Sequence, residues 1–265
     1  MIPDPHSTSA GADRRPMAAI ILAAGKGTRM DSDLPKVAHE VAGRPIVWWV
    51  VDAVRRAGAT PIVLVVGYGA DVVREIFDGD DDDIVYVTQT EQRGTGHATA
   101  CATPVLGDFA GDVLVLAGDG PLIRPRTIDA MRRVHEAAGA AATLATSVIE
   151  DPAGYGRVIR DADGRFEAIV EDRNLAPEQR SVHEVYPSYA CFDAAQLFAT
   201  LERVPPDEIS GEIYVTEVPA VMRAAGKTVE LIDAVPPEDV LSINTPAQLA
   251  EVGDILTRRL EAGVP

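Results

Sequence analysis

A loop with two glycines and three cationic side chains follows the first apolar run of the chain: Leu22-Ala23-Ala24-Gly25-Lys26-Gly27-Thr28-Arg29-Met30, then Leu34-Pro35-Lys36. Small residues let backbone N–H groups come close to phosphate oxygens. Lys26, Arg29 and Lys36 add positive charge. The combination suits a triphosphate, whose charge must be offset before a nucleophile can approach. The loop is not a Walker A sequence, and Gly25-Lys26-Gly27 lacks the third glycine of the dinucleotide fingerprint.

A second polar loop runs Gln89-Thr90-Glu91-Gln92-Arg93-Gly94-Thr95-Gly96-His97-Ala98. Its glutamine side chains both donate and accept, as a pyrimidine edge requires. Gly94 leaves room for a base to come close, and His97 reads as structural. A third loop, Ala117-Gly118-Asp119-Gly120-Pro121-Leu122, puts a lone carboxylate after an apolar strand. Asp119 there is a natural Mg²⁺ ligand, because Mg²⁺ takes one or two protein oxygens and fills its other positions with water and phosphate.

These loops need a frame. Apolar runs at Ala18 to Leu22, Pro61 to Val66, Ile84 to Thr88 and Val113 to Leu116 read as buried strands. Helical spacing covers Ile46 to Ala57, Ala70 to Phe77, Gly94 to Ala102 and Arg126 to Ala137, with Gly58 a C-terminal cap of the first. Strands alternating with helices predict an α/β fold with a mostly parallel sheet covered on both faces, and ligands at the carboxyl ends of the strands. The three loops above follow strands, so they predict one site. In the second half, strands are expected at Ala142 to Val148, Gly156 to Ile159, Phe166 to Glu171, Tyr189 to Phe192 and Val229 to Ala234. Helices are expected at Ala194 to Val204, Val215 to Ala225 and Pro246 to Leu260, the last capped by Asn244 or Thr245. The acidic run Asp80 to Asp83 reads as a solvated loop.

Composition narrows the function. The 265 residues carry a formal net charge of −17, with 46% hydrophobic and 25% charged residues. That balance fits a globular enzyme and argues against non-specific binding to nucleic acid or an anionic membrane. Residues 1–16 have no apolar core and read as a disordered extension rather than a leader or a membrane span. The two cysteines, Cys101 and Cys191, form no C-x-x-C pair and read as reduced thiols of a cytoplasmic protein. The five histidines show no metal-ligand spacing, which disfavours zinc.

The string L-A-A-G-x-G-x-R-M with the following L-P-K resembles the signature of the sugar nucleotidyltransferases. Together with E-Q-x-G-T-x-H-A at 91–98, it is most similar to the uridyltransferase domain of the bifunctional N-acetylglucosamine-1-phosphate uridyltransferases. The similarity runs from about Ala18 to Leu256. It implies a Rossmann-like mixed sheet with a small sugar-binding lobe: residues 17–140 for the nucleotide, 141–235 for the sugar, and 236–265 for a metal-site turn and helix. Leu22, Ala23, Ala24, Gly25, Lys26 and Gly27 would contact the nucleotide, while Gln89, Gln92, Gly94 and Thr95 would read uracil. Arg29 and Lys36 would meet the reacting phosphates. Asp119 and Asn244 would hold Mg²⁺. Gly156, Glu171, Glu212 and Tyr214 would lie beside the sugar.

The implied reaction is a single in-line displacement by a sugar 1-phosphate oxygen on the α-phosphorus of UTP, with Mg²⁺ and release of pyrophosphate. The chain shows no hexapeptide β-helix pattern, so the acetyltransferase half of the bifunctional proteins has no expected counterpart, and the oligomeric state stays open. There are two departures. Where the family has Asn-Thr-Gly, this chain has Tyr186-Pro187-Ser188, and Ala117 stands where a larger residue is common. Tyr186 cannot reproduce an amide's donor and acceptor. The sugar therefore stays open between N-acetylglucosamine 1-phosphate and another sugar 1-phosphate. A different nucleotide and a non-catalytic nucleotide-sugar-binding module are the other readings.

Overall fold

The structure is a computed structural model that describes residues 14–80 and 82–263. In chain order the strands are β1 (Met17–Ala23), β2 (Glu40–Val41), β3 (Arg44–Pro45), β4 (Ile62–Val66), β5 (Ile84–Thr88), β6 (Asp112–Ala117), β7 (Ala142–Val148), β8 (Gly156–Arg160), β9 (Phe166–Val170), β10 (Glu184–Tyr186), β11 (Tyr189–Asp193) and β12 (Val229–Asp233). The helices are α1 (Ile46–Arg56), α2 (Ala70–Glu75), α3 (Thr95–Ala100), α4 (Thr103–Leu106), α5 (Pro125–Ala138), α6 (Ala194–Leu201), α7 (Val218–Ala224) and α8 (Pro246–Glu261).

Ten strands form one mixed sheet in the order β5-β4-β1-β6-β11-β7-β10-β8-β9, with β12 beside β7. The strands β1, β4, β5, β6, β7, β8 and β12 run one way, and β9, β10 and β11 run the other. The half made of β5, β4, β1 and β6 is entirely parallel. The strands β4, β1 and β6 are apolar at nearly every position because both faces are covered, while the edge strand β5 leaves Val85 exposed. Side chains alternate with the period of two that a strand imposes. Ala19, Ile21 and Ala23 of β1 pack into a core with α1, α2 and α5, while Ala18 and Ile20 pack into another with α3, α6 and α7. In a third cluster, Val252, Ile255 and Leu256 of α8 cover Met30, Val41 and Leu122, so the last helix seals two of the site loops from outside.

The second half is antiparallel where β11 enters between β6 and β7 and where β10, β8 and β9 extend the sheet. Four features differ from the sequence reading. The strand β10, the short β2–β3 hairpin and α4 have no counterpart in it. The helix expected from Val215 begins as a 3-10 turn, Val215–Glu217, and becomes α7 only at Val218. Pro219 in the first turn of α7 explains the break, since its ring fits only where no N–H is needed.

Of the expected extension 1–16, residues 1–13 lie outside the described residues, but its end is held. Arg15 donates to Asp193 Oδ2 at 2.8 Å and pairs with buried Asp112 at 3.0 Å. The acidic run is likewise not merely solvated. Arg55 of α1 donates to Asp83 Oδ2 at 2.9 Å and to Asp80 Oδ2 at 3.1 Å, and the guanidinium holds the Asp83 carboxyl below its usual range. No helix among the described residues is long and apolar enough to cross a membrane.

Candidate active site

The parallel strands β1, β5 and β6 all end on the same edge of the sheet, where a cavity of about 580 Å³ opens. Leu22, Ala24 and Gly25 after β1, Gln89 after β5 and Asp119 after β6 line it. The antiparallel half supplies the opposite wall.

At the floor, charges converge. Lys36 Nζ donates to Asp119 Oδ2 and, at 2.9 Å, to Asn244 Oδ1. Arg29 Nη2 donates to the same Asn244 oxygen at 2.9 Å. The Asn244 amide is oriented by its other end, for Nδ2 donates to Ser242 Oγ at 3.0 Å. Its backbone N–H donates to Gln248 Oε1 at 2.9 Å. Thr245, not Asn244, caps α8: its Oγ1 accepts from Gln248 N at 3.2 Å, which frees Asn244 for the cavity. The Asp119 loop is pinned to the same segment by Ile243 N donating to Asp119 O at 3.0 Å.

One carboxylate oxygen and one amide oxygen therefore point at a single cationic centre, the Lys36 ammonium. Both are hard oxygen donors of the kind Mg²⁺ takes, and the remaining positions of an octahedral ion would fall to water and phosphate. The residues present fit the ion.

Glycine is required behind Lys36. Gly27 has φ +71°, and a Cβ there would lie 2.4 Å from Lys36 Cβ. Gly27, Ala23 and Lys26 are the expected nucleotide contacts that do not line the cavity. Gly27 backs Lys36. Ala23 points into the α1 and α2 core, because strand alternation turns it away from its neighbours Leu22 and Ala24. Lys26 lies 5.0 Å over the ring of Tyr68.

On the second wall, Gln92 Nε2 donates to Ala24 O at 2.9 Å, tying the 89–97 loop to the glycine loop. Gln89 Nε2 donates to Gly94 O at 3.1 Å. The close approach that Gly94 permits is to protein: a Cβ there would lie 2.4 Å from Ile213 O, and its φ is +96°. Ile213 and Val215 fasten this loop to the 212–215 segment, with Gly96 N to Ile213 O at 2.7 Å and Val215 N to Thr95 Oγ1 at 3.0 Å.

The third wall carries Gly156, Glu171, Tyr186, Glu212 and Tyr214, all lining the same cavity. Glu171 accepts from Thr216 Oγ1 at 3.1 Å. The Tyr214 hydroxyl shares a 2.8 Å bond with Ser210 Oγ and accepts from Arg173, whose guanidinium also lies 5.4 Å from its ring. Tyr186 is buried, and no hydrogen bond within the described residues ends on its hydroxyl. Burial first and the charge of Glu171 second push its phenol well above the usual range. Ser188 takes φ +67°, in the position where the resemblance has glycine. Glu217, beside this wall, is pushed up by burial and then by the charges of Glu171 and Asp207.

Sequence reasoning overlooked Tyr155 as a site residue. It lines the cavity together with Ser242 and Asn244, and burial raises its phenol. The signal was present, since Tyr155 lies within the Asp151-Pro152-x-Gly154-Tyr155-Gly156-Arg157 turn. A buried ion cluster was also missed. Asp239, 1% exposed, accepts Arg124 Nη2 at 2.7 Å and also takes Arg259, and both guanidiniums reach Glu238 Oε1, at 3.0 and 2.7 Å. It joins the 120–124 loop, the 237–240 turn and α8 immediately behind Asp119 and Asn244.

Comparison with known proteins places this geometry. Residues 19–208 match the MobA-like NTP transferase domain. The chain is 46% identical over 244 residues to the Bifunctional protein GlmU of Geobacter metallireducens, across 92% of this chain and 51% of that protein. It is 45% identical over 244 residues to the Bifunctional protein GlmU of Pelobacter propionicus, across 92% and 53%. The chain thus spans about half the length of these relatives. Among solved structures, UDP-glucose pyrophosphorylase complexed with UDP-glucose has the same fold, with a TM-score of 0.71 at 16% identity over 92% of this chain and 99% of that one. The chain belongs to the MobA-like NTP transferase family and is a nucleotidyltransferase.

Proposed function

We propose that the chain joins the uridylyl group of UTP to a sugar 1-phosphate, with N-acetylglucosamine 1-phosphate as the acceptor and Mg²⁺ as the cofactor, and that it does so in the cytoplasm. The observation that carries this reading is the convergence of Asp119 Oδ2 and Asn244 Oδ1 on one cation, beside Arg29, in a cavity that also holds Gln89 and Glu171.

Asp119 and Asn244 would hold Mg²⁺, which would screen the phosphate charges when bound. The acceptor phosphate is already an anion, so no side chain has to become a nucleophile. Its oxygen attacks the α-phosphorus, and the bond to the β-phosphate bridging oxygen breaks with its electron pair, leaving pyrophosphate. Catalysis is then positioning and charge compensation. Arg29 and Lys36 offset charge on the attacking and leaving groups. The backbone at Leu22, Ala24 and Gly25 bounds the nucleotide, and Gln89, Gln92, Gly94 and Thr95 bound the base. Glu171 accepts from sugar hydroxyls, with Thr216 fixing its carboxylate, while Gly156, Glu212 and Tyr214 shape the sugar wall.

A second reading keeps this chemistry and changes the acceptor. It is favoured by Tyr186, whose unpartnered phenol stands on the acceptor wall in place of a family amide. Pyrophosphate release with UTP and Mg²⁺ separates the two. Turnover at least about tenfold faster with N-acetylglucosamine 1-phosphate than with glucose 1-phosphate supports the first. The reverse preference supports the second, and release with no sugar 1-phosphate contradicts both.

A further inference from the structure

Gln89 ends β5 and is 5% exposed, with its backbone fixed by a 2.8 Å bond from its N–H to Val66 O. Its amide nitrogen meets two groups: Gly94 O at 3.1 Å and His97 Nδ1 at 3.1 Å. A carbonyl oxygen only accepts, so the nitrogen end of the amide must face Gly94. His97 Nδ1, close to the same nitrogen, then accepts the second hydrogen, which leaves the imidazole proton on Nε2. Both Gln89 donors are used inside the protein. No hydrogen bond within the described residues ends on its oxygen, and the side chain lines the cavity.

His97 is held where it can do this. It sits on α3, which begins after Gly94 and packs against Ile213 so closely that a Cβ on Gly96 would lie 2.7 Å from Ile213 Cγ2. The ring cannot retreat with the helix so anchored.

We infer that His97 is a positioning residue for base selection: it locks Gln89 into presenting only an acceptor, so the pocket takes a base that offers a ring N–H there. Uracil offers N3–H. Cytosine, in the same pose, offers a bare N3 that also accepts, and two acceptors would face each other in a buried site. The inference rests on the uridylyl reading and adds the source of its selectivity. An apolar group at 97 removes one of the two acceptors that hold the amide nitrogen, so the amide is held by Gly94 O alone and turns its nitrogen to the base at a lower cost. Leaving a buried acceptor unpaired is worth about ten- to a hundredfold in selectivity.

Calorimetric Kd values for UTP and CTP, with Mg²⁺ and no acceptor sugar, test this on the whole chain with His97→Phe and His97→Asn. The wild type should favour UTP. H97F should lose about tenfold or more of the UTP-to-CTP ratio, while H97N, whose amide oxygen can still accept, keeps it within about threefold. A merely structural role would weaken both nucleotides alike and leave the ratio unchanged in H97F, which overturns the inference while sparing the uridylyl reading. A wild type that binds neither nucleotide overturns both. The histidine tautomer gives a reading that no variant's folding can spoil. In ¹⁵N spectra of the wild type, an unprotonated Nδ1 on His97 supports the inference, and a protonated Nδ1 contradicts it.

Discussion

Where the parallel strands end, on the side proposed for the nucleotide, the cavity wall combines backbone shaped by glycines with the side chains of Arg29, Lys36, Gln89 and Asp119. Gly27 makes room for Lys36, and Gly94 makes room for the Ile213 carbonyl. The polar side chains there are committed to the chain itself, as Gln92 is to Ala24 O and Gln89 to Gly94 O. The opposite side, where the acceptor is proposed to bind, is a wall of side chains on β10 and the loops around it, with Glu171, Tyr186 and Tyr214 lining the cavity and burial raising the pKa of Glu217 beside them. The difference teaches where each specificity resides. A wall whose backbone and side chains hold one another cannot change without moving strands, so the phosphate and base contacts proposed there are tied to the fold. A wall made of side chains can change at one position and leave the fold intact, and Tyr186 stands on that wall.

The strongest way to break the comparison is to cut what joins the walls. Asp239→Ala leaves Arg124 and Arg259 as buried charges with only Glu238 between them. It should cost about 3–5 kcal/mol in urea unfolding. A loss below about 1 kcal/mol would show that the cluster is a solvated surface network. Gly27→Ala comes next. The added methyl must displace Lys36 and takes up a left-handed backbone, so kcat should fall by about ten- to a hundredfold and stability by about 1–3 kcal/mol. An unaffected kcat would mean that Lys36 need not hold its present position.

The acceptor wall should respond more gently. Tyr186→Phe removes only a hydroxyl, so the KM for the sugar 1-phosphate should rise about two- to tenfold while the KM for UTP stays put. A matching rise for UTP would erase the distinction between the walls. The smallest effect is that of Glu217→Gln on stability. Burial and the Glu171 and Asp207 charges raise the folded-state pKa of Glu217, so the folded chain holds its proton more tightly than the unfolded chain. The penalty is absent below the unfolded-state pKa and fully present above the folded-state value. The glutamine variant should therefore melt slightly higher than wild type at pH 7 and alongside it at pH 4. A lower melting point at pH 7 would show that the charged carboxylate is stabilising.

The same contrast decided what the sequence could tell. β1, β4 and β6 are buried on both faces, so each stood out as an apolar run, and the parallel order of β1, β5 and β6 set three loops on one edge. β10 did not stand out. It has three residues, ends against Pro187, and exists because β7 and β8 pair with it from both sides. Apart from the family resemblance, the second oxygen at the cation, Asn244, had only a helix cap to announce it, and the structure gives that task to Thr245. Arg124, Asp239 and Arg259 carry no local period at all, because their meeting depends on the fold around them. The lock on Gln89 was hidden for a related reason: His97 was legible as a helix residue, but which end of an amide faces the cavity follows only from what lies behind it.

The most direct test of the account follows phosphorus from [α-³²P]UTP in wild type and in Asp119→Asn, with Mg²⁺ and sugar 1-phosphates. The account predicts label in the nucleotide-sugar product, none on the protein, and a rate about 10³-fold or more lower in the variant. Label on the protein, or transfer by Asp119→Asn at the wild-type rate, would contradict it.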